Sequence, residues 1–290
     1  MQIRPIGPFD VSAVGLGAMP LSIEGRPDAE RAIATVHAAL DAGMALIDTA
    51  DAYHVGADDI GHNETLVAKA LSTYGPVPDV LVATKGGSRR SGDGSLTVDG
   101  RPEYIKRACE QSLARLGVEA IGLYQFHRPD PRIPYAESVG ALAELLEEGK
   151  IVAAGVSNVD PEQIRTAREV LGGRLASVQN QFSPTFRSSR PELDLCHELG
   201  IAFLPWRPLG GISRARRLGA RHLPFTYVAQ RLDATPQQVC LAWMLALSPV
   251  VIPIPGSSRP ETARDSAAAA ELHIPADALA LLDASPLVTV

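Results

Sequence analysis

RPEYIKRACEQSLARLGVEAIGLYQFHRPDPRIPYAESVGALAELLEEGKIVAAGV, residues 101–156, repeats one pattern twice. After Arg101-Pro102, the residues Ile105, Ala108, Cys109, Ser112 and Leu116 fall on one stripe at helical spacing; Val139, Leu142 and Leu145 do the same in the segment that ends before Gly149. Each helical segment is followed by a short, nearly continuous apolar run, Ile121–Phe126 and Val152–Val156, of strand length. A strand apolar on both faces has to be covered on both. Amphipathic helices between such strands supply the cover, and the result is a parallel sheet.

The same alternation continues in both directions. Toward the N-terminus lie Val14–Leu16, Ala45–Asp48 and Val80–Thr84; toward the C-terminus lie Ser177–Asn180, Ile201–Pro205 and Val250–Ile254. Helix starts between them carry cap chemistry: Asp160-Pro161, Arg101-Pro102, and Thr235-Pro236-Gln237-Gln238, where Thr and Gln have capping-box spacing and Pro sits first inside. Eight strand–helix units predict an α/β chain folded as a single (β/α)8 TIM barrel, one domain over residues 1–290. A doubly wound dinucleotide-binding sheet is the competitor. Its nearest fingerprint, Gly15-Leu16-Gly17-Ala18-Met19-Pro20, has Pro at the third glycine position and fails.

Composition removes other classes. Apolar residues make up 46% and charged residues 21% of the 290, enough for one large core and wrong for a disordered or fibrous chain. A net charge of -6 leaves no basic excess for nucleic acid. The longest uncharged run, Ala234 to Ser258, is broken by Pro249, Pro253 and Pro255, so it reads as a helix and then a strand, with no membrane span. The N-terminus lacks the basic-then-apolar pattern of a signal peptide, and Cys109, Cys196 and Cys240 have no metal or redox spacing; a cytoplasmic chain with packed, reduced thiols is expected.

In such a barrel, side chains at the C-terminal ends of the strands share one cavity. Asp48 ends the second strand, Lys85 the third and His127 the fourth, while Tyr53 lies five residues beyond Asp48. A tyrosine hydroxyl, with a pKa of about 10, is a poor acid at neutral pH; a nearby ammonium favours phenolate and lowers that value. Asp48 would hold Lys85 charged and in place, and His127 would orient a substrate carbonyl. Taken singly, these are an ion pair, a packed histidine and a loop anchor. Taken together at strand ends, they predict a proton-delivery site for a carbonyl.

Ile47-Asp48-Thr49-Ala50-Asp51-Ala52-Tyr53, Ala83-Thr84-Lys85, Leu123-Tyr124-Gln125-Phe126-His127, Gly155-Val156-Ser157-Asn158 and Pro208-Leu209-Gly210-Gly211 resemble, in order, the signatures of the aldo-keto reductases. The similarity runs from Val14-Gly15-Leu16-Gly17 to Ile254-Pro255-Gly256. It implies a (β/α)8 barrel that reduces small-molecule aldehydes or ketones with NADP(H) and no metal, with Tyr53 as general acid, Lys85 and Asp48 as its tuning pair, and His127 as carbonyl orienter. It further implies that Ser157, Asn158 and Gln179 bind the nicotinamide carboxamide, since amides donate and accept at once. Trp206 stacks on the ring in the same reading; ordinary core packing is the other role open to it. Gly17, Ala18 and Met19, and Arg207, Pro208, Leu209 and Gly210, fall where the family meets its cofactor. In Gly256-Ser257-Ser258-Arg259, backbone N–H groups and a guanidinium can hold the adenosine 2′-phosphate, with Arg264 and Asp265 nearby.

Three departures stand out. Many members have Lys at the position of Gly256 and Asn at that of Ser266, so phosphate selectivity rests more heavily on Arg259. The loop His54–Gly61 is longer than the family pattern and is expected to wall the substrate pocket. Its His54, Asp58, Asp59, with His62 and Glu64, read as an acidic surface loop rather than as metal ligands, because no His-x-His pair occurs. Arg214, Arg216, Arg217 and Arg221 form either a solvated basic loop or one that folds over the cofactor pyrophosphate or draws in an anionic substrate. Two rival functions remain open, a cofactor-sensing accessory subunit and a metal-dependent barrel hydrolase.

Overall fold

A computed structural model of the chain describes residues 1–76, 79–90 and 95–285. The strands are β1 (Ile3–Ile6), β2 (Phe9–Ser12), β3 (Leu16–Gly17), β4 (Leu46–Asp48), β5 (Leu81–Gly86), β6 (Ser88–Arg90), β7 (Leu96–Val98), β8 (Ile121–Phe126), β9 (Ile151–Ser157), β10 (Leu175–Gln179) and β11 (Ala202–Phe203). Seven of them form one parallel sheet in the order β11-β10-β9-β8-β5-β4-β3. Residues 250–256 take the eighth place. Ile252 N donates to Phe203 O at 2.8 Å on one side, and Gly15 N and Gly17 N donate to Pro253 O and Pro255 O at 3.0 and 2.9 Å on the other. This segment therefore bonds both edges and closes the ring. Its ladder is broken into isolated bridges because Pro253 and Pro255 have no N–H to donate.

Each barrel strand is followed by a helix: Ala29–Asp41, His62–Tyr74, Pro102–Leu116, Tyr135–Glu147, Pro161–Val170, Arg190–Leu199, Pro236–Leu247 and, after the eighth segment, Pro260–Ala268. The expected capping box is present at Thr235/Gln238, and the expected cap at Asp160 is also a capping box, with Gln163. The α/β barrel expected from the alternation is thus the observed architecture. Among the described residues no helix is long and apolar enough to cross a membrane. Cys109, Cys196 and Cys240 are buried and unpaired, and burial pushes the Cys109 and Cys196 thiols up to about 12.

Side-chain alternation sorts each strand. Ile47, Tyr124, Phe126, Val156, Val178 and Phe203 point outward into clusters shared with the helices. Leu46, Leu81, Ala83, Leu123, Ala153, Ala202, Leu204, Ile252 and Ile254 point inward and fill the barrel. Two residues further along the same inward rows stand Asp48, Lys85, Gln125, Gly155 and Trp206. The apolar lower layers plug the barrel and the polar upper layer forms the floor of a cleft.

Two hairpins were not legible as strands. Pro5 and Pro8 argue against a strand near the N-terminus, yet β1 and β2 pair antiparallel about Gly7, whose φ of +54° glycine adopts without a Cβ clash. The hairpin stoppers the lower end of the barrel: Ile6 and Val11 join the inner cluster, and a Cβ at Gly7 would press to 3.1 Å from that of Ala176. β6 and β7 form the second hairpin, beyond β5 at the other end.

Candidate active site

Asp48 and Lys85 rise from adjacent strands, β4 and β5, and meet inside the barrel mouth. Lys85 is fully buried, and its Nζ donates to Asp48 Oδ1 and Oδ2 at 2.8 and 2.7 Å, to Thr49 O at 2.8 Å and to the Tyr53 hydroxyl at 3.3 Å. The ammonium also lies 5.0 Å from the centre of the Tyr53 ring. Burial alone would discharge this amine; the charge of Asp48, Tyr53 and their hydrogen bonds outweigh it and hold Lys85 above the ordinary lysine pKa. Because the ammonium donates into the phenolic oxygen, the Tyr53 proton is left to point elsewhere. His127 packs edge-on to Tyr53 with ring centres 5.9 Å apart. Burial, then the positive charges of Lys85 and Arg128, keep its imidazole neutral, far below its usual titration.

One expectation is reversed. Lys85 does favour the phenolate of Tyr53, but burial disfavours it more and Asp48 adds a like charge, so the Tyr53 pKa lies above 10 rather than below.

A cleft of about 720 Å³ opens over these groups. It is lined by Asp48, Tyr53 and His127 and by Gly17, Met19, Ser157, Asn158, Gln179, Trp206, Arg207, Pro208, Leu209, Gly210 and Gly256 from the expected cofactor set. Gly17 and Gly256 bridge here, and a Cβ on Gly17 would come within 2.8 Å of Ile254 O, so glycine is needed where β3 meets the eighth segment. Gln179 Nε2 donates to Asp48 Oδ1 at 2.8 Å. Asn158, at φ +59°, donates through Nδ2 to His127 O at 2.9 Å and Ser157 Oγ at 3.0 Å, which fixes its orientation; its Oδ1 accepts no hydrogen bond from the described residues. Trp206 carries the Arg207 guanidinium 5.3 Å from its ring, and its buried Nε1 has no partner among the described residues.

Other expected residues lie away from the cleft wall. Ala18 is buried behind it. Ser257, Ser258, Arg259 and Arg264 belong to the neighbouring turn and the helix Pro260–Ala268, whose N-cap is Arg259. Asp265 is turned inward and accepts from Thr235 Oγ1 at 3.2 Å. Of the loop arginines, Arg214 lines the cleft, on the short helix Ile212–Ala215.

The loop His54–Gly61 does not wall the cleft, contrary to expectation; the lining stops at Tyr53. Asp59 is ion-paired with Arg26, His54 Nδ1 bonds Gly56 O and His62 Nδ1 bonds Ser22 Oγ, which ties the loop to the segment after β3. Glu64 is spent on Thr84 and Arg115. Among the described residues no three acidic, His or Cys side chains gather as a metal-binding group. Missed by sequence reading were Pro20, Ile23, Arg90, Arg128 and Gln181, which also line the cleft. Arg128 could have been found, since it directly follows His127; the others sit on short excursions from the barrel, Arg90 at the end of β6 and Pro20 in a single 3-10 turn, whose direction no local pattern encodes.

A profile of the aldo/keto reductase family matches residues 13–285. An uncharacterised oxidoreductase of Schizosaccharomyces pombe is 33% identical over 285 residues, spanning 96% of this chain and 88% of its own. Pyridoxine 4-dehydrogenase of Escherichia coli is 32% identical, with 96% of each chain covered. Among solved structures, a glycerol dehydrogenase from Gluconobacter oxydans superposes with a TM-score of 0.81 at 29% identity, covering 97% of this chain and 93% of the other. With its closed barrel, the buried Asp48–Lys85 pair under Tyr53 and a match over nearly its whole length, the chain belongs to the aldo/keto reductase family of oxidoreductases.

Proposed function

We propose that the protein is a cytoplasmic reductase that converts a small-molecule aldehyde or ketone to the alcohol, reversibly, with NADP(H). The observation that carries this reading is the Lys85 Nζ contact to the Tyr53 hydroxyl at 3.3 Å, beneath a cleft that also holds His127. The residues present fit a nicotinamide dinucleotide. Ser157, Asn158 and Gln179 offer amide and hydroxyl groups to a carboxamide, Trp206 offers a ring face, and the tight Gly17–Gly256 contact keeps the floor open; Arg259, beyond the cleft wall at the start of the helix Pro260–Ala268, offers a guanidinium for a 2′-phosphate.

A bound reduced nicotinamide supplies the hydride. The chain's own residues manage the carbonyl oxygen and its proton. His127, neutral, hydrogen-bonds the oxygen and orients it. Tyr53 donates its O–H proton to that oxygen as charge develops there, and Lys85 stabilises the phenolate left behind until solvent reprotonates it. Asp48 keeps Lys85 charged in a site where burial opposes charge. Replacing Tyr53 by Phe removes the hydroxyl that supplies the proton and keeps the ring. NADPH consumption with an aldehyde should fall about 100-fold or more while NADPH affinity, read from cofactor fluorescence, stays within about threefold. Retained turnover sinks the assignment of Tyr53. A wild-type chain that binds NADPH yet reduces no aldehyde, ketone, sugar or quinone points instead to a sensing subunit.

A further inference from the structure

Arginines line the cleft on two opposite sides. Arg207 and Arg214 follow β11, the seventh stave of the ring. Arg90 ends the β6 strand after β5, the third stave, and Arg128 follows β8, the fourth. Staves three and four face staves seven and eight across an eight-membered ring. Asp48 is the one carboxylate among the described cleft-lining residues, and it is engaged by Lys85 and Gln179. The mouth is thus positive on a molecule whose net charge is -6.

The reductase reading, on which this step rests, assigns the cofactor phosphates to the seventh and eighth staves, with Arg214 and Arg259. That leaves Arg128 and the free edge of Arg90, which line the same cleft as Tyr53 and His127, without a cofactor phosphate to meet. Arg128 is exposed and has no ion-pair partner among the described residues, and its charge is one of those that keep His127 neutral. Arg90 is held in place by Glu24, whose two carboxylate oxygens each accept from its Nη2 at 2.7 Å, while its buried Nε has no partner among the described residues. The same cleft is lined by the apolar side chains of Met19, Pro20, Ile23 and Ala52.

We propose that Arg90 and Arg128 recognise a carboxylate or phosphate on the substrate, so that the enzyme prefers acidic aldehydes or ketones whose charged group is separated from the carbonyl by an apolar spacer. A guanidinium on an oxyanion is a charge-assisted contact, and at this partly open site its loss should cost about tenfold or more in kcat/KM. The preference should shrink with added salt, because Arg128 is exposed.

Two substrate pairs separate charge from size: 4-carboxybenzaldehyde against 4-methylbenzaldehyde, and glyceraldehyde 3-phosphate against glyceraldehyde. The ratio of kcat/KM within each pair, compared between wild type and variant, cancels intrinsic reactivity. R128Q should lower the charged-to-neutral ratio about tenfold or more in at least one pair, R128K should restore part of it, and the pair that responds tells carboxylate from phosphate. R90Q should act in the same direction. R214Q, on the cofactor side, should weaken NADPH without moving the ratio. Ratios unmoved by R128Q and R90Q, with neutral aldehydes still reduced, overturn anion recognition and leave the reductase standing. R128Q weakening NADPH instead of the charged substrate also overturns it. A wild-type chain inactive on all four compounds overturns the reductase reading and this proposal together.

Discussion

Lys85 has no exposure to solvent, and each of its hydrogen-bond partners belongs to the barrel mouth. Its effect on Tyr53 has a defined sign: the ammonium lowers the phenol's pKa, even though burial keeps the net value above 10. In alcohol oxidation Tyr53 must act as phenolate, so the rate climbs with pH through the phenol's titration. Lys85→Met should move that limb to higher pH and reduce turnover at neutral pH, since phenolate loses its stabilising charge. A single substitution leaves Asp48 buried and uncompensated, which costs about 3–5 kcal/mol and threatens folding. The double variant Asp48→Asn, Lys85→Met removes both charges and should fold while showing a limb displaced in the same direction but by less, because the opposing charge of Asp48 goes too. A limb that stays in place in the folded double variant removes the pair from the proton transfer.

At the level of elements, the eighth stave is the weak point of the ring, because Pro253 and Pro255 break its ladder. The helix Pro236–Leu247 that leads into it is correspondingly well started. Thr235 Oγ1 accepts from Gln238 N at 3.1 Å, Gln238 Oε1 accepts from Thr235 N at 3.0 Å, and the same hydroxyl donates to Asp265 on the next helix. Thr235→Ala should lower stability by about 1 kcal/mol, seen as a lower urea midpoint at unchanged slope, with Thr235→Ser recovering most of it. An unchanged midpoint removes the cap from the stability of this helix. The Thr235/Gln238 capping box and the Asp160 cap were legible from sequence, because a cap is satisfied by residues a few positions apart. The β1–β2 hairpin was not, since its stability comes from filling the barrel's lower end and not from its own residues.

Across the whole molecule, Arg4 links the first strand to the last. Its guanidinium donates to Leu245 O and Ser248 O at 2.8 Å each and to Val251 O, more than 240 residues along the chain. Burial brings its pKa down to about 10, which still leaves it charged at neutral pH. Arg4→Met keeps the packed stem and strands three carbonyl oxygens; stability should fall by about 2–3 kcal/mol and Tm by several degrees. Calorimetry on the variant checks this, and a Tm within one degree of wild type would show that water replaces the guanidinium at no cost. Activity in the folded fraction should persist, because Arg4 sits at the end opposite the cleft.

Helical stripes, cap residues and short apolar runs are local, so the alternating strands and helices of the barrel could be read directly along the chain. Period-two alternation extended that reading to the site. Once Leu46, Leu81 and Leu123 face inward, Asp48 one step of two along, and Lys85 and His127 two such steps along, must follow in the same rows. Other features depend on groups brought together from far apart. Gln179 reaches Asp48 across 131 positions, Arg26 draws the His54–Gly61 loop off the cleft, and the helix Ile212–Ala215 borders it instead. The sign of the Tyr53 shift belongs here as well, because it is set by a balance between burial and two opposite charges. Loop direction and desolvation are properties of packing between distant segments, and no pattern of neighbouring residues encodes them.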